Sequence, residues 1–210
     1  VAVAALSDGG EPPPRDGRRS ASNGAAAGRR RVVRLALGAA LAPAIFAAWG
    51  QAGDPALEAG VKAAYLYKFI GYVEWPAGAF DQPESPIIIG VAGAEPVLAE
   101  LERLLPGRMV QWRGVIGRRI RPGEPLDGVH VLFVGRAASA VAGPWLDTQA
   151  GKPVLVVTEV PDGLDRGGTI NFLLVGGKVR FEASLPAAER AGLKLSARLL
   201  AVAERVVSHS

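Results

Sequence analysis

The chain has no cysteine and only two histidines in 210 residues. The missing cysteine excludes structural disulfides, thiolate zinc sites and a lipid anchor on a cysteine behind a leader. With His130 inside an apolar run and His209 at the far end, no metal-ligand cluster is spelled out. Phosphate loops of the Gly-Lys-Ser/Thr type are absent. No G-x-S-x-G elbow occurs, and Ser139 and Ser184 have no acid–base partner at a recognisable spacing. Nor is there a run of the ~20 apolar residues that a spanning helix needs. What is present is an apolar fraction of 49%, enough for one sizeable core.

The charge is unevenly placed. Residues 1–50 hold seven Arg against Asp8, Glu11 and Asp16, a net of +4. Residues 51–210 hold 17 Lys and Arg against 17 Asp and Glu, a net of zero. A nucleic-acid-binding domain keeps its basic footprint on the folded part, so no nucleic-acid partner is expected. The leader reads as an export signal. Arg29, Arg30, Arg31 and Arg34 precede the mostly apolar stretch Leu35 to Trp49, and small residues near Gly50 and Ala52 offer a cleavage site. An uncleaved anchor is the competing reading, but Gly38 and Pro43 suit a signal better. The Arg-Arg pair also opens a twin-arginine route, though no Phe-Leu follows it. Residues 1–28, rich in Gly, Pro, Ala, Ser and Arg, read as disordered or as a start placed too far upstream. The expected division is a disordered extension plus signal over 1–52 and one domain over 53–210. That places the protein in the periplasm.

In the domain, Leu57, Val61, Tyr65, Phe69 and Tyr72 recur at helical spacing after Asp54-Pro55, which predicts a helix over 55–72 with that stripe buried. Continuous apolar runs at 87–91, 129–134 and 154–158 read as strands buried on both faces. Residues 110–116 read as a more polar strand near an edge. Helices are expected over 96–105 and 137–149, the second interrupted by Gly143-Pro144. Gly176-Gly177 joins 169–175 to 178–185 as a tight hairpin. Its second strand alternates Val179, Phe181, Ala183 and Leu185 with a wet face of Lys178, Arg180, Glu182 and Ser184. A last helix over 196–207 buries Leu195, Leu199, Val202 and Val206. The fold class is a single α/β sandwich on a mixed, largely parallel sheet, ending in an antiparallel hairpin and a C-terminal helix.

Few residues suggest chemistry. Gly90-Val91-Ala92-Gly93 is half of a nucleotide-binding turn without its full spacing. Glu159, Asp162 and Asp165 share one loop; a cation or a carboxylate pair is the sharp reading, a solvated loop the preferred one. His130 reads as a satisfied buried imidazole. Lys194 and Arg198 flank the expected helix start at Ser196, where partial positive charge already accumulates; a bound phosphate, carboxylate or acidic partner residue is the sharp reading, two solvated side chains the preferred one. No catalytic residue, metal or cofactor emerges.

The segments "VKAAYLYKFIGYVEWP" (61–76), "IIIGVAGAEP" (87–96), "VHVLFVG" (129–135), "PVLVVTEVPDGLDRGGTINFLLVGGKVRFEASL" (153–185) and "AERAGLKLSARLLAVAERV" (188–206) together resemble the YfiR-like family of small exported proteins. The resemblance covers about residues 57–207. It implies a periplasmic α/β domain without enzymatic activity. In the family's namesake it implies a repressor that binds the periplasmic part of an inner-membrane diguanylate cyclase, lowering cyclic di-GMP and biofilm formation. Some relatives are sensor domains joined to histidine kinases; a chain ending at Ser210 without a second membrane segment resembles the stand-alone type. The namesake's disulfides have no counterpart here, so its redox control does not carry over. The expected work is docking, and the candidate partner surface is Tyr72, Trp75, Phe80 and Trp112, with core or lid packing as the alternative. A symmetric homodimer is a further expectation. The competing function is a periplasmic binder of a small anion or nucleotide at Lys194, Ser196 and Arg198 or at the Gly93 turn.

Overall fold

The structure, a computed structural model, describes residues 54–121, 123–147 and 149–208. The extension and export signal expected over 1–52 lie outside these residues. Helix α1 (Pro55–Ile70) starts as its sequence dictates: Asp54 caps it by accepting from the Ala56 N–H, and Pro55 takes the first helical position. After the short strand β1 (Val73–Glu74) the chain enters β2 (Ile87–Ala92), α2 (Glu95–Leu104), β3 (Met109–Val110), β4 (Arg113–Arg119) and β5 (Val131–Val134). A 3₁₀ turn leads into α3 (Ser139–Asp147), which runs through Gly143-Pro144 unbroken. Then follow β6 (Leu155–Thr158), β7 (Ile170–Val175), β8 (Lys178–Ser184), α4 (Leu185–Arg190), β9 (Lys194–Leu195), α5 (Ala197–Leu200) and β10 (Arg205–Val207).

The main sheet has the order β10-β8-β7-β6-β5-β2-β4-β3. Its centre is parallel; β7–β8 and β3–β4 are antiparallel hairpins at either side. The α/β sandwich on a mixed, largely parallel sheet is therefore the fold. Strand alternation sorts the apolar runs into two cores. Ile87, Ile89, Val91, Val131, Phe133, Leu155 and Val157 meet α1 and α2 on one face. Ala92, Leu132, Val134 and Val156 meet α3, with Trp145 and Leu146, on the other. This is why these strands carry no polar face. The first core is anchored by aromatic rings: Phe69 lies 5.1 Å from Phe181 and 5.8 Å from Phe172, centroid to centroid.

Several local expectations change. Residues 110–116, expected as one strand, instead reverse at Gln111-Trp112, so that Val110 pairs with Arg113 across the β3–β4 hairpin. The buried face of α1 is Ala59, Lys62, Ala63, Leu66, Phe69 and Ile70, while Leu57 is 66% exposed. Steps of four overshoot a 3.6-residue turn, so the row drifts around the helix: Leu57 faces water, Val61 and Tyr65 are half-buried against the core and Phe69 is fully buried. Small Ala59 and Ala63 let the backbone approach instead. The helix expected over 196–207 is a single turn, α5. The chain then extends as β10 along β8, with Arg205 opposite Glu182, Glu204 N–H bonded to the Phe181 carbonyl at 2.8 Å and Val202 exposed. Covering the open edge of β8 satisfies backbone groups that a longer helix would leave bare. For the same reason the expected wet face of β8 is dry at Glu182 and Ser184, both buried.

Candidate functional site

In an open parallel sheet, ligands favour the crevice where strand order reverses, here at the C-terminal ends of β2 and β5. That crevice is filled by the protein's own backbone. A Cβ on Gly93 would stand 2.5 Å from the Ala138 nitrogen, and one on Gly135 2.5 Å from the Gly93 carbonyl oxygen. The glycine at the end of Gly90-Val91-Ala92-Gly93 is thus required for turn-on-turn packing.

Beyond the crevice lies a polar network that sequence reasoning missed. Lys62, 5% exposed, is held between Glu58 and Glu159. Glu159 also accepts from the Arg136 N–H at 3.1 Å. Next to it, Asn171 accepts from Thr158 Oγ1 at 2.8 Å and from the Val160 N–H at 3.2 Å, and donates to Glu182 at 3.0 Å. Glu182 in turn receives the Arg205 guanidinium at 2.8 and 2.5 Å. A cleft of about 430 Å³ opens above, lined by Arg136, Glu159, Asp162, Asp165, Glu182 and Arg205 among others. Of the three acids expected to cluster, only Glu159 turns inward, onto Lys62; Asp162 and Asp165 are exposed. Among the described residues no group of three or more His, Asp or Glu could hold a metal. A lysine sitting in the Ala59–Ala63–Leu66 face of α1 was the available sequence signal for the network.

Trp75, Phe80 and His130 form a second cluster. Phe80 stacks on His130 at 4.5 Å and packs edge-on to Trp75 at 5.9 Å. The Arg113 guanidinium lies 3.8 Å over the Phe80 ring and donates to the Gln82 and Ser85 carbonyls. His130 Nδ1 accepts from the Ile88 N–H at 3.2 Å, so the neutral ring carries its proton on Nε2. Burial holds this imidazole below its usual pKa; a backbone hydrogen bond with Ala79 opposes the shift and the Arg113 charge adds to it. Trp75 and Phe80 are half-buried and pack as a lid over His130.

The remaining candidates meet at one end of the domain. Trp112 is 93% exposed at the tip of the β3–β4 hairpin, in a two-residue turn where Gln111 has φ +52° and Trp112 φ +65°. Gln111 Nε2 donates to the Val73 carbonyl at 3.3 Å, which brings the turn beside Tyr72, 40% exposed. The Ser196 N–H donates to the Tyr72 carbonyl at 2.9 Å, and β9 pairs with β1, so Lys194 lies opposite Glu74. Lys194 and Glu74 approach to 3.9 Å, both well exposed. Ser196 caps α5 by accepting from the Leu199 N–H at 3.3 Å, and Arg198 is exposed. A four-residue helix carries little dipole, so the charge argument for an anion at Ser196 has less behind it than a longer helix would provide.

The turns after β2 and β5 pack on each other, and the two inward-facing acids, Glu159 and Glu182, are met by Lys62 and Arg205. The class is a doubly wound α/β module. Residues 59–204 match the family model described as YfiR/HmsC-like, and the chain belongs to that family. Its members are periplasmic regulators of signalling. Among curated proteins no match is found. Among the described residues no helix is long and apolar enough to cross a membrane.

Proposed function

We propose that this chain is a non-enzymatic periplasmic regulator, exported by its leader, that binds the periplasmic part of an inner-membrane diguanylate cyclase or sensor kinase and holds it in one state. Family membership over residues 59–204 carries the reading. The exposed Tyr72 supports it, because a large aromatic side chain left outside a core is a typical interaction anchor. Trp75 and Phe80 act from beneath, fixing the segment that follows Tyr72. A repressor of this kind works by binding one receptor state more tightly. Moving a receptor from 1:99 to 99:1 takes ~5.5 kcal/mol of differential affinity, which one buried aromatic patch with a polar rim can supply. Affinity capture from detergent-solubilised membranes of the parent organism tests it. The expected result is one dominant membrane signalling protein, its recovery reduced by Tyr72→Ala. Recovery of no such protein, with the folded chain as bait, would overturn the reading.

A further inference from the structure

We propose that the Trp112 end of the domain docks on an anionic phospholipid bilayer, with the indole seated among the headgroups. The turn itself is the first observation. Two-residue hairpins with both central residues at positive φ are normally filled by Asn-Gly or Gly-Gly. Here Gln111 and Trp112 occupy those positions, and Trp112, at 93% exposed, is repaid by no packing. Left-handed conformations in non-glycine residues persist where the side chain has work to do.

The second observation is what surrounds it. Met109, on the same hairpin, and Tyr72 are exposed beside the turn. Charge is the third. Residues 103–121 contain six Arg and no acid. Subtracting these from the 17 cations and 17 acids of residues 51–210 leaves 11 cations against 17 acids elsewhere. Of the six Arg, Arg108 and Arg113 adjoin the turn, while Arg118, Arg119 and Arg121 lie at the far end of β4. Arg103 and Arg119 are paired with Glu100 and Glu95, but Arg108 makes no ion pair among the described residues and lies 5.9 Å over the Tyr67 ring. Lys194 and Arg198 join the same end through β9 and Ser196; Glu74 is the acid that faces them, on Lys194.

An indole with its amphipathic ring at the tip, apolar neighbours and the cations Arg108, Lys194 and Arg198 beside it matches a lipid–water interface. Each cation near an anionic surface strengthens partitioning about fivefold. A protruding tip also suits a soft interface better than a protein hot spot, which is ringed by occluding contacts. The inference does not depend on which membrane protein the domain regulates.

Flotation of the full chain with phosphatidylglycerol–phosphatidylcholine vesicles and with pure phosphatidylcholine vesicles tests it. The leader is common to all variants, so the difference between wild type and each variant, rather than the wild-type preference itself, reads the hairpin. Wild-type chain is expected to prefer the anionic vesicles, and Trp112→Gly and Arg108→Glu each to weaken that binding by roughly tenfold. Glycine adopts φ +65° without strain, so Trp112→Gly should melt no lower than wild type, which separates lost binding from lost folding. Equal binding to both vesicle types, or unchanged binding by both variants, overturns the proposal. So does a Trp112→Gly variant that keeps its vesicles but loses partner capture in detergent; that outcome makes Trp112 a protein anchor and leaves the regulator reading standing.

Discussion

Two hairpins in this domain share a backbone turn and differ in what fills it. At the β7–β8 tip, Gly176 and Gly177 sit at φ +57° and +73°. At the β3–β4 tip, Gln111 and Trp112 sit at φ +52° and +65°. The glycine turn is the unstrained solution, with nothing around it. The Gln-Trp turn spends stability on a side chain that meets only solvent. The roots differ in the opposite sense. The β7–β8 hairpin is fastened by Phe172 and Phe181 in the main core and by Glu182 below. The β3–β4 hairpin puts only Val110 and Val115 against the core, and is otherwise held by polar contacts of Gln111 and Arg113 at the sheet's edge. A positive-φ tip filled by Gln-Trp sits on the hairpin with the smaller apolar root, and the glycine-filled tip sits on the hairpin rooted in the main core.

The contrast breaks most readily at the root. Phe181→Ala removes a ring shared by Phe69 and Tyr65 and should cost ~3–5 kcal/mol, read as a lower midpoint in urea unfolding with unchanged slope. If Val110→Ala cost as much, the two hairpins would not differ in rooting. Glu182→Ala leaves the Asn171 amide without its acceptor. Because Arg205 is largely exposed and can rehydrate, the expected loss is smaller, about 1–3 kcal/mol. Exchanging the turns sharpens the comparison further. Gly177→Val should destabilise by ~1 kcal/mol through backbone strain alone, while Trp112→Gly should stabilise by a similar amount, both measurable by thermal melting. Matching signs for the two would refute the strain argument.

The smallest effect is expected from pH, on the β3–β4 side where Arg113 and His130 sandwich Phe80. The folded imidazole has its pKa lowered, so as pH falls below about 6.5 the unfolded chain takes up a proton before the folded one does. Stability is therefore full above that value and declines as pH falls towards the folded pKa. Melting curves between pH 7.5 and 5 should show the decline in wild type and lose part of it in His130→Gln. An identical pH profile in the variant would remove His130 from the account.

Much of this was legible beforehand because buried strands announce themselves. Runs such as Ile87–Ala92 and Leu155–Thr158 have no polar alternation, and only a two-faced core explains that. Gly176-Gly177 named its own turn. The end of the chain was not legible: Leu199, Val202 and Val206 satisfy helical spacing, yet the edge of β8 claimed the last segment as a strand. Lys62 was hidden by the reverse error. A lone cation on an apolar helix face looks misplaced until Glu159, 97 residues away, is folded against it. Of the candidate surface, Trp75 and Phe80 turned out half-buried over His130, a fact that depends on a loop folding back onto the sheet.

Local periodicity and glycine placement, both properties of neighbouring residues, determined by themselves that this would be a layered α/β domain with a charge-balanced folded part. Which side chains would face water at the edges, and which charges would meet, depended on contacts between residues far apart along the chain. Edge pairing, the closing of the Gly93 crevice and the gathering of Trp112, Tyr72, Lys194 and Arg198 at one end were decided only when the tertiary structure brought distant segments together, because each satisfies backbone or charge groups that no local pattern records.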